Sequence, residues 1–469
     1  MDASDKSMDA PACPGCVARD RRIAQLEAQV ATLEQRIARL EEQLAAATRA
    51  GKRQAAPFSK GPPKPNPKTP GRKSGKDYGP TAFRAIPPVI DEAYDAPLPK
   101  RCPCGGMILL KRLVLQYQTE IPRRPIYRQF NVHIGCCTRC GQYMQGRHPL
   151  QTSDALGCCA SQLGPDAQAA IAYLNKDAGL SHGKIATLFS TLFGIPLTRG
   201  GVCQAMLRTA GKCLPHYHAI IINLAQAPWT VPDETGWRIG GHPAWLHTFV
   251  TEQTVAFLVA KQRGFEASSR IVPQDYAGTM IHDGFKSYER YFAAKHQTCN
   301  AHLLRRCHEM LETATGGAVI FPRKVQAILQ DGLAIRDRRD AGEISARTAA
   351  RNADHLQARI VKLTEPRKSN PANERFAAHL FGQQRHLFTY LRSPGIDATN
   401  YRAEQALKGP IVNRKVWGGN RTEDGAAAQG IICSVLGTLA KKALRAIDWI
   451  SGLLRAPADT PLLVPIPSG

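Results

Sequence analysis

The sequence is short of acid. Against 62 Lys and Arg it sets only 38 Asp and Glu, a formal charge of +24 over 469 residues. A balance that basic suits a polyanionic partner, most simply nucleic acid. Long apolar runs are missing too. None approaches the ~20 residues that a membrane-spanning helix needs, which excludes a helical span. The opening residues, MDASDKSMDA, are polar and mildly acidic, so no secretory signal is expected. Fourteen cysteines are too sparse for a disulfide scaffold in a chain of this length. They are expected as reduced thiols in a cytoplasm, available to metals. What remains is ample: 43% apolar residues, enough for a sizeable core and about three domains.

From about Arg21 to Thr48 the apolar positions Ile23, Leu26, Val30, Leu33, Ile37, Leu40 and Leu44 alternate spacings of three and four. That is a heptad seam, β-branched mainly at one position and Leu at the other, the pattern of a parallel two-stranded coiled coil. It predicts a homodimer; an amphipathic helix packed on its own domain is the bland alternative. Cys13 and Cys16 before it are half a zinc site at most. Residues 51–76 carry eight Lys/Arg, six Pro and no acid, the composition of an extended basic tether that can lie along phosphates. Its Lys60, Lys64, Lys68, Arg72 and Lys73 are the candidate DNA contacts. Next come two thiol pairs, Cys102/Cys104 and Cys137/Cys140. The runs VLQYQTEIP and IYRQFNVHIG between them read as strands, so the whole reads as a zinc ribbon with four thiolates on a structural Zn²⁺. Cys136 could replace Cys137, and a set of buried thiols is the alternative. In 165–212, two helices around a break at Gly194-Ile195-Pro196 suggest either a helix-turn-helix or a plain packed pair.

From Trp229 the pattern changes to strands: WTVPDETGWRI, a GGHP turn, AWLHTFVT, then TVAFLVAK. TMIHD and KHQTC follow as two more, with the helix AHLLRRCHEML after them. Three hairpin strands, a crossover and two further strands describe a layer of the ribonuclease H type. Asp233 falls in the first strand and Asp283 at the end of the fourth, on neighbouring strands of such a sheet. Two close carboxylates call for a cation, and hard oxygen ligands suit Mg²⁺ or Mn²⁺. Pro232 removes a ladder donor, which implies a bulge or an unpaired face before Asp233. Asn400 is expected to cap a short helix, Tyr401 to Lys408, ended by Gly409 and Pro410. Glu404 sits on that helix, where spacing alone equally allows a solvated surface.

Three runs, DETGWRIGGHPAWLHTF, HDGFKSYERYFAAKHQTCNAHLLRR and TNYRAEQALKGPIVNRKVWGGNRTEDGAAAQGI, resemble the insertion-sequence transposases of the IS66 family. The resemblance extends over nearly the whole chain, since the N-terminal helix, basic linker, cysteine module and helical segment follow in the family's order. It implies a DDE transposase with Asp233, Asp283 and Glu404 as catalytic triad and ligands of two Mg²⁺ (or Mn²⁺) ions. It implies cleavage at the ends of an insertion sequence and joining of the 3′-hydroxyls to target DNA. It also implies a bacterial source, a place at the nucleoid, DNA ends and target as partners, and accessory proteins of the same element. Asn400-Tyr401, where the family commonly has two Asn, and Pro232 depart from its pattern without touching a triad acid. A non-catalytic dimeric DNA-binding regulator derived from such an enzyme is the alternative.

The expected architecture is therefore multidomain: a coiled coil over 1–50, a linker over 51–78, a zinc-ribbon-like module over 79–150 and a helical DNA-binding segment over 151–225. A ribonuclease H-like α/β core follows over 226–310 and 399–469, interrupted by a helical insertion over 311–398. In that insertion Val325, Ile328, Leu329 and Leu333 share one helix face, although Gly332 weakens it. Arg414 and Lys415 after the last acid are further candidate DNA contacts, with Arg421, Lys286 and Arg305 on similar grounds. Cys299 and His302 have metal-like spacing but fit a strand-to-helix junction better. Trp237 and Trp245 flank the first hairpin turn, where cross-strand packing fits better than base stacking.

Overall fold

A computed structural model describes residues 14–52, 86–110, 112–119, 121, 124–157, 162–455 and 461–465. Cys13, Lys60, Lys64, Lys68, Arg72 and Lys73 lie outside them. The chain divides into two compact units, residues 1–110 and 111–469.

The first unit holds helix α1, Pro14–Lys52. Its seam residues Ile23, Leu26, Val30, Leu33, Ile37 and Leu40 are all exposed, each at about half of its surface. Further on, the chain turns tightly at Cys102–Gly106. Cys102 N–H donates to Gly106 O at 3.0 Å and Gly105 N–H to Cys102 O at 2.8 Å, with Gly105 at φ 89°. An antiparallel bridge, Arg101 to Met107, closes that turn.

The second unit begins with a small hairpin, β1 (Ile134–Cys136) and β2 (Tyr143–Gln145), which brackets the second thiol pair. Of the two longer strands expected over 114–122 and 126–135, only Ile134 and Gly135, at the end of the second, are strand among the described residues. Their apolar side chains, such as Leu115, Ile126 and Tyr127, lie exposed. β-Propensity needs a surface to pack on, and among the described residues these side chains have little of one.

Three helices follow: α2 (Pro165–Lys176), α3 (His182–Phe193) and α4 (Arg199–Ala225). Ser181 and Thr198 cap the last two through their hydroxyls, and Gly194 at φ 65° ends α3, so the break falls where the sequence places it. Then come strands β3 (Trp229–Ile239), β4 (His242–Val250) and β5 (Val255–Ala260), helix α5 (Phe265–Ser268), strand β6 (Thr279–His282), strand β7 (Lys295–Thr298) and helix α6 (Asn300–Thr313). Helices α7 (Ile320–Asp340), α8 (Ala346–Thr364), α9 (Pro371–Gln383) and α10 (Thr389–Arg392) precede α11 (Tyr401–Trp417), α12 (Glu423–Lys441) and α13 (Ala446–Arg455). No helix among the described residues is long and apolar enough to cross a membrane.

The sheet order is β5-β4-β3-β6-β7, with the first three strands antiparallel and β3, β6 and β7 parallel. Strand alternation feeds two cores. Phe249, Ala256 and Met280 face a layer built on α2, α4, α12 and α13, while Val250, Phe257 and Ile281 face a layer that includes α6 to α9 and α11. The exposed edge of β5 is covered by α12. Ser434 Oγ accepts from Phe257 N–H at 2.7 Å and Thr438 Oγ1 from Val255 N–H at 3.1 Å, so the edge donors are satisfied by a helix. Gly430 permits the approach, since a Cβ there would come within 2.9 Å of Phe257 O.

In the helical insertion Val325, Ile328 and Leu329 are buried as their spacing predicts. Gly332 has a packing reason: a Cβ would sit 2.5 Å from the Tyr390 hydroxyl and 3.1 Å from the Phe388 ring. The helix expected to stop at Lys408 instead continues to Trp417 with Pro410 inside it. An interior Pro costs about 3 kcal/mol. Tertiary anchors on both sides outweigh it. Ala403 and Leu407 are buried before the Pro, and Asn413 Nδ2 bonds Lys176 O at 2.7 Å after it. Gly418, at φ 85°, ends the helix.

Candidate active site

Asp233 and Asp283 owe their places to strand register. The β3–β6 ladder has its last pair at Thr230 and Met280, and each Asp stands three residues further along its own strand or just beyond it. The β3–β4 register runs unbroken through Pro232↔Phe249 and Asp233↔Thr248, so Pro232 makes no bulge. It lies past the end of the β3–β6 ladder, and the unpaired-face expectation is the one that holds. The two parallel strands part there, with a carboxylate at the same level on each.

Each Asp has one oxygen fixed by the backbone. Asp233 Oδ1 accepts from Glu234 N–H at 2.9 Å, and Asp283 Oδ1 accepts from Phe285 N–H at 2.9 Å, an Asx turn. Behind Asp283 runs a buried imidazole relay. Gly284 N–H donates to His282 Nδ1 at 3.1 Å, which places the His282 proton on Nε2, 3.0 Å from His296 Nδ1. His296 Nε2–H then reaches Tyr291 O at 3.2 Å. Burial, then His296 and His386, hold His282 well below the usual histidine range, so it stays neutral.

Glu404 enters from α11, in its first turn. Ala403 and Leu407 bury the neighbouring face and leave Glu404 half-exposed, with Oε1 3.6 Å from His302 Nε2. Asn400 does not cap this helix with its side chain. That side chain is buried with neither Oδ1 nor Nδ2 bonded, while its carbonyl accepts from Ala403 and Glu404 N–H. Burial lifts the Asp233 carboxyl to about 7, with the charges of Glu234, Asp283 and Glu404 adding to it against the Glu234 N–H, which lowers it. The three acids therefore share one field. Among the described residues no three His, Cys, Asp or Glu side chains are grouped closely enough to hold a metal ion together.

A second carboxylate beside Asp233 escaped the sequence reading. Glu234 is almost fully buried and is held by Tyr288, whose hydroxyl donates to Oε2 at 2.6 Å, and by Arg263 at 2.8 Å to Oε1. Arg263 in turn lies on the rings of Trp245 and Phe285, at 4.7 and 4.2 Å from their centroids. Glu234 is thus committed to its neighbours. Asp233, Asp283 and Glu404 are not held in this way, and carboxylate oxygens are the hard donors that divalent cations take.

The other candidates divide. Arg414 bonds Gly236 O, and its Nη1 lies 3.3 Å from Thr235 Oγ1, tying α11 to β3; Lys415 is exposed beside it. Lys286, Arg305 and Arg421 are exposed. Trp237 is buried, donates to Asn420 Oδ1 at 2.7 Å and meets Trp417 edge-on. Cys299 is fully buried at the β7–α6 junction. In each thiol pair hydrogen bonds favour the thiolate: the Gly106 N–H, then the Cys102 side chain, lowers Cys104, and the backbone N–H groups of Cys140 and Arg139 lower Cys137. Each pair alone has the tight turn and the donors of half a zinc site.

No curated protein matches the chain. The family model described as Transposase IS66 family matches residues 160–428, which contain Asp233, Asp283, Glu404, the whole sheet and the helical insertion. That match covers more than half of the sequence, and the chain belongs to the IS66 family of transposases.

Proposed function

We propose that this transposase cuts the ends of its insertion sequence and joins the freed 3′-hydroxyls to target DNA. Its core is of the ribonuclease H type, with Asp233, Asp283 and Glu404 as ligands of a divalent pair. The observation that carries the reading is the common level of Asp233 and Asp283 on parting parallel strands, with Glu404 acting on the same charge. Bound there, Mg²⁺ or Mn²⁺ supplies the Lewis acidity that activates water or a 3′-hydroxyl and steadies the leaving oxygen. The protein's share is to hold the carboxylates. Backbone N–H groups fix one oxygen of each Asp, the histidine relay fixes the turn after Asp283, and Arg263 with Tyr288 keeps Glu234 from competing. No protein nucleophile is needed, and the acids are ligands rather than proton shuttles.

The rest of the chain brings DNA to this site. Lys60, Lys64, Lys68, Arg72, Lys73 and Lys415 contact phosphates, and Arg414 keeps α11 seated on β3. The thiol pairs Cys102/Cys104 and Cys137/Cys140 are ligands for structural Zn²⁺, and α1 pairs with a second copy so that two ends are held together. Asp283→Asn tests the reading. Mg²⁺-dependent end cleavage and strand transfer should disappear while DNA binding persists. Cleavage that survives the change sinks the assignment, and wild-type binding without cleavage or joining returns the regulator.

A further inference from the structure

Helix α11 serves two places. The charge of Glu404 acts on Asp233, while Tyr401, Arg402, Gln405 and Ala406 line a cavity of about 470 Å³ between α11, α12, β4 and β5. That is the size range of small-ligand sites. Lys176, the last residue of α2, lines it as well.

Lys176 is 6% exposed. Its Nζ donates to Gln429 Oε1 at 2.7 Å and lies 5.3 Å from the Trp417 ring centroid. No carboxylate pairs with it among the described residues. An ammonium has three donors, and a neutral amide accepts one. Burial lowers its pKa to about 8, and the groups acting against that are the thiols Cys433 and Cys203. Cys433 is itself kept protonated by burial, at about 12. The one acid on the cavity wall, Asp177, is hydrogen-bonded by the Tyr173 hydroxyl. A buried cation without a counter-charge is costly, and an incoming anion relieves that cost.

Two more cations stand on the wall. Arg402 is paired with Asp397 and Glu252, and Lys441 reaches Glu252 O at 3.4 Å. The rest of the wall is mainly apolar, with Phe257 and Pro410 among it, and Gln405 adds an amide. The ligand that suits it has an anionic head and a flat, weakly polar body. Glu404 and Gln405 are consecutive on α11, so the helix that lines the cavity also carries the proposed third metal ligand.

We propose that this cavity receives one unpaired nucleotide of the DNA substrate, its phosphate against Lys176 and its base against the apolar wall. The idea rests on the transposase reading for the identity of the ligand, but its test does not pass through cleavage.

The full chain, in chelator and without metal, is titrated with 2-aminopurine deoxynucleoside 5′-monophosphate and followed by fluorescence. The monophosphate should bind, inorganic phosphate should compete, and the unphosphorylated nucleoside should bind about tenfold more weakly or worse. Lys176→Met should weaken the monophosphate by about tenfold or more. Gly409→Leu keeps Lys176 but fills the space, since a Cβ there meets no atom within 4 Å, and should weaken it too. Asp283→Asn should bind as wild type does. A duplex with a single unpaired 2-aminopurine at its 3′ end should respond more than a blunt one, and Lys176→Met should remove the difference. Absence of monophosphate binding to wild type, or binding by both cavity variants as tight as by wild type, overturns the site. Monophosphate binding with no difference between the two duplexes overturns the DNA source, leaving a pocket for free nucleotide. Loss of cleavage in Asp283→Asn with nucleotide binding intact separates the two readings.

Discussion

Asp233 and Asp283 stand at the same level, each three residues past the last paired position of two adjacent parallel strands, Thr230 and Met280. No β3–β6 ladder pair follows, and the two carboxylates come just beyond its end. A single substitution tests each acid. Asp233→Asn and Asp283→Asn should each cut Mg²⁺-dependent end cleavage by at least about a thousandfold, the scale of losing a central electrostatic group. Gel-shift affinity for the same DNA should move by less than about threefold, because a single carboxylate adds little to a contact dominated by phosphate charge.

Much of this site was legible in the sequence. Alternating apolar positions gave the strands, and a strand ending in Asp283 beside one containing Asp233 followed from the hairpin-plus-crossover order. Glu404 was different, because its helix position is compatible with plain solvent exposure and it took a family resemblance to single it out. The end of α11 differs from the expectation, since Gly409-Pro410 breaks a helix by local propensity, while Asn413 and Arg414, bonded to distant elements, and Trp417, packed edge-on against Trp237, carry it through. The strands expected over 114–122 and 126–135 failed for the opposite reason. Their local pattern suits strands, but side chains such as Leu115 and Tyr127 lie exposed rather than packed on a core. Glu234 was missed because an acid in a strand reads as a solvent-facing position, and its partners Arg263 and Tyr288 are 29 and 54 residues away.

The buried Glu234 is expected to matter for stability. Glu234→Ala removes the acceptor of the Tyr288 hydroxyl and leaves that buried group unpaired, at a cost of about 1–3 kcal/mol. Tyr288→Phe should cost less, about 1 kcal/mol, because the Arg263 contact remains. Urea unfolding of the two variants checks the order, and equal losses would contradict it.

Gly430 makes the edge contact of α12 with β5. Gly430→Val should destabilise by about 1–3 kcal/mol through overpacking, because the obstructing atoms are the Phe257 backbone and cannot swing aside. Helix propensity alone would favour Val slightly over Gly, so thermal unfolding at or above the wild-type midpoint would contradict the packing.

Lys176 gives a pH signature. Its folded pKa, about 8, lies below the ordinary 10.5, so the unfolded chain binds the extra proton between these values. Stability therefore rises with pH across that window. Relative to Lys176→Met, the wild type should gain about 2 kcal/mol between pH 7 and 9.5. Parallel stability curves for the two proteins would place the lysine in solvent.

Helix α1 exposes a continuous apolar seam. Replacing Leu26 and Leu33 by Asp should convert a dimer to a monomer, because both lie at the seam positions that a second helix buries. Light scattering of the full chain reads this directly, and an unchanged mass would remove the coiled-coil dimer.

The central claim is that Asp233, Asp283 and Glu404 form one metal site, and Glu404 is its most exposed member. Calorimetric titration of Mn²⁺ into the full chain, wild type against Glu404→Gln, measures it most directly, with DNA ends present so that α11 can settle. The wild type should bind two ions at this site, and Glu404→Gln should lose one of them or weaken it by about tenfold or more. Identical isotherms would contradict the account and leave Glu404 a surface residue of its helix.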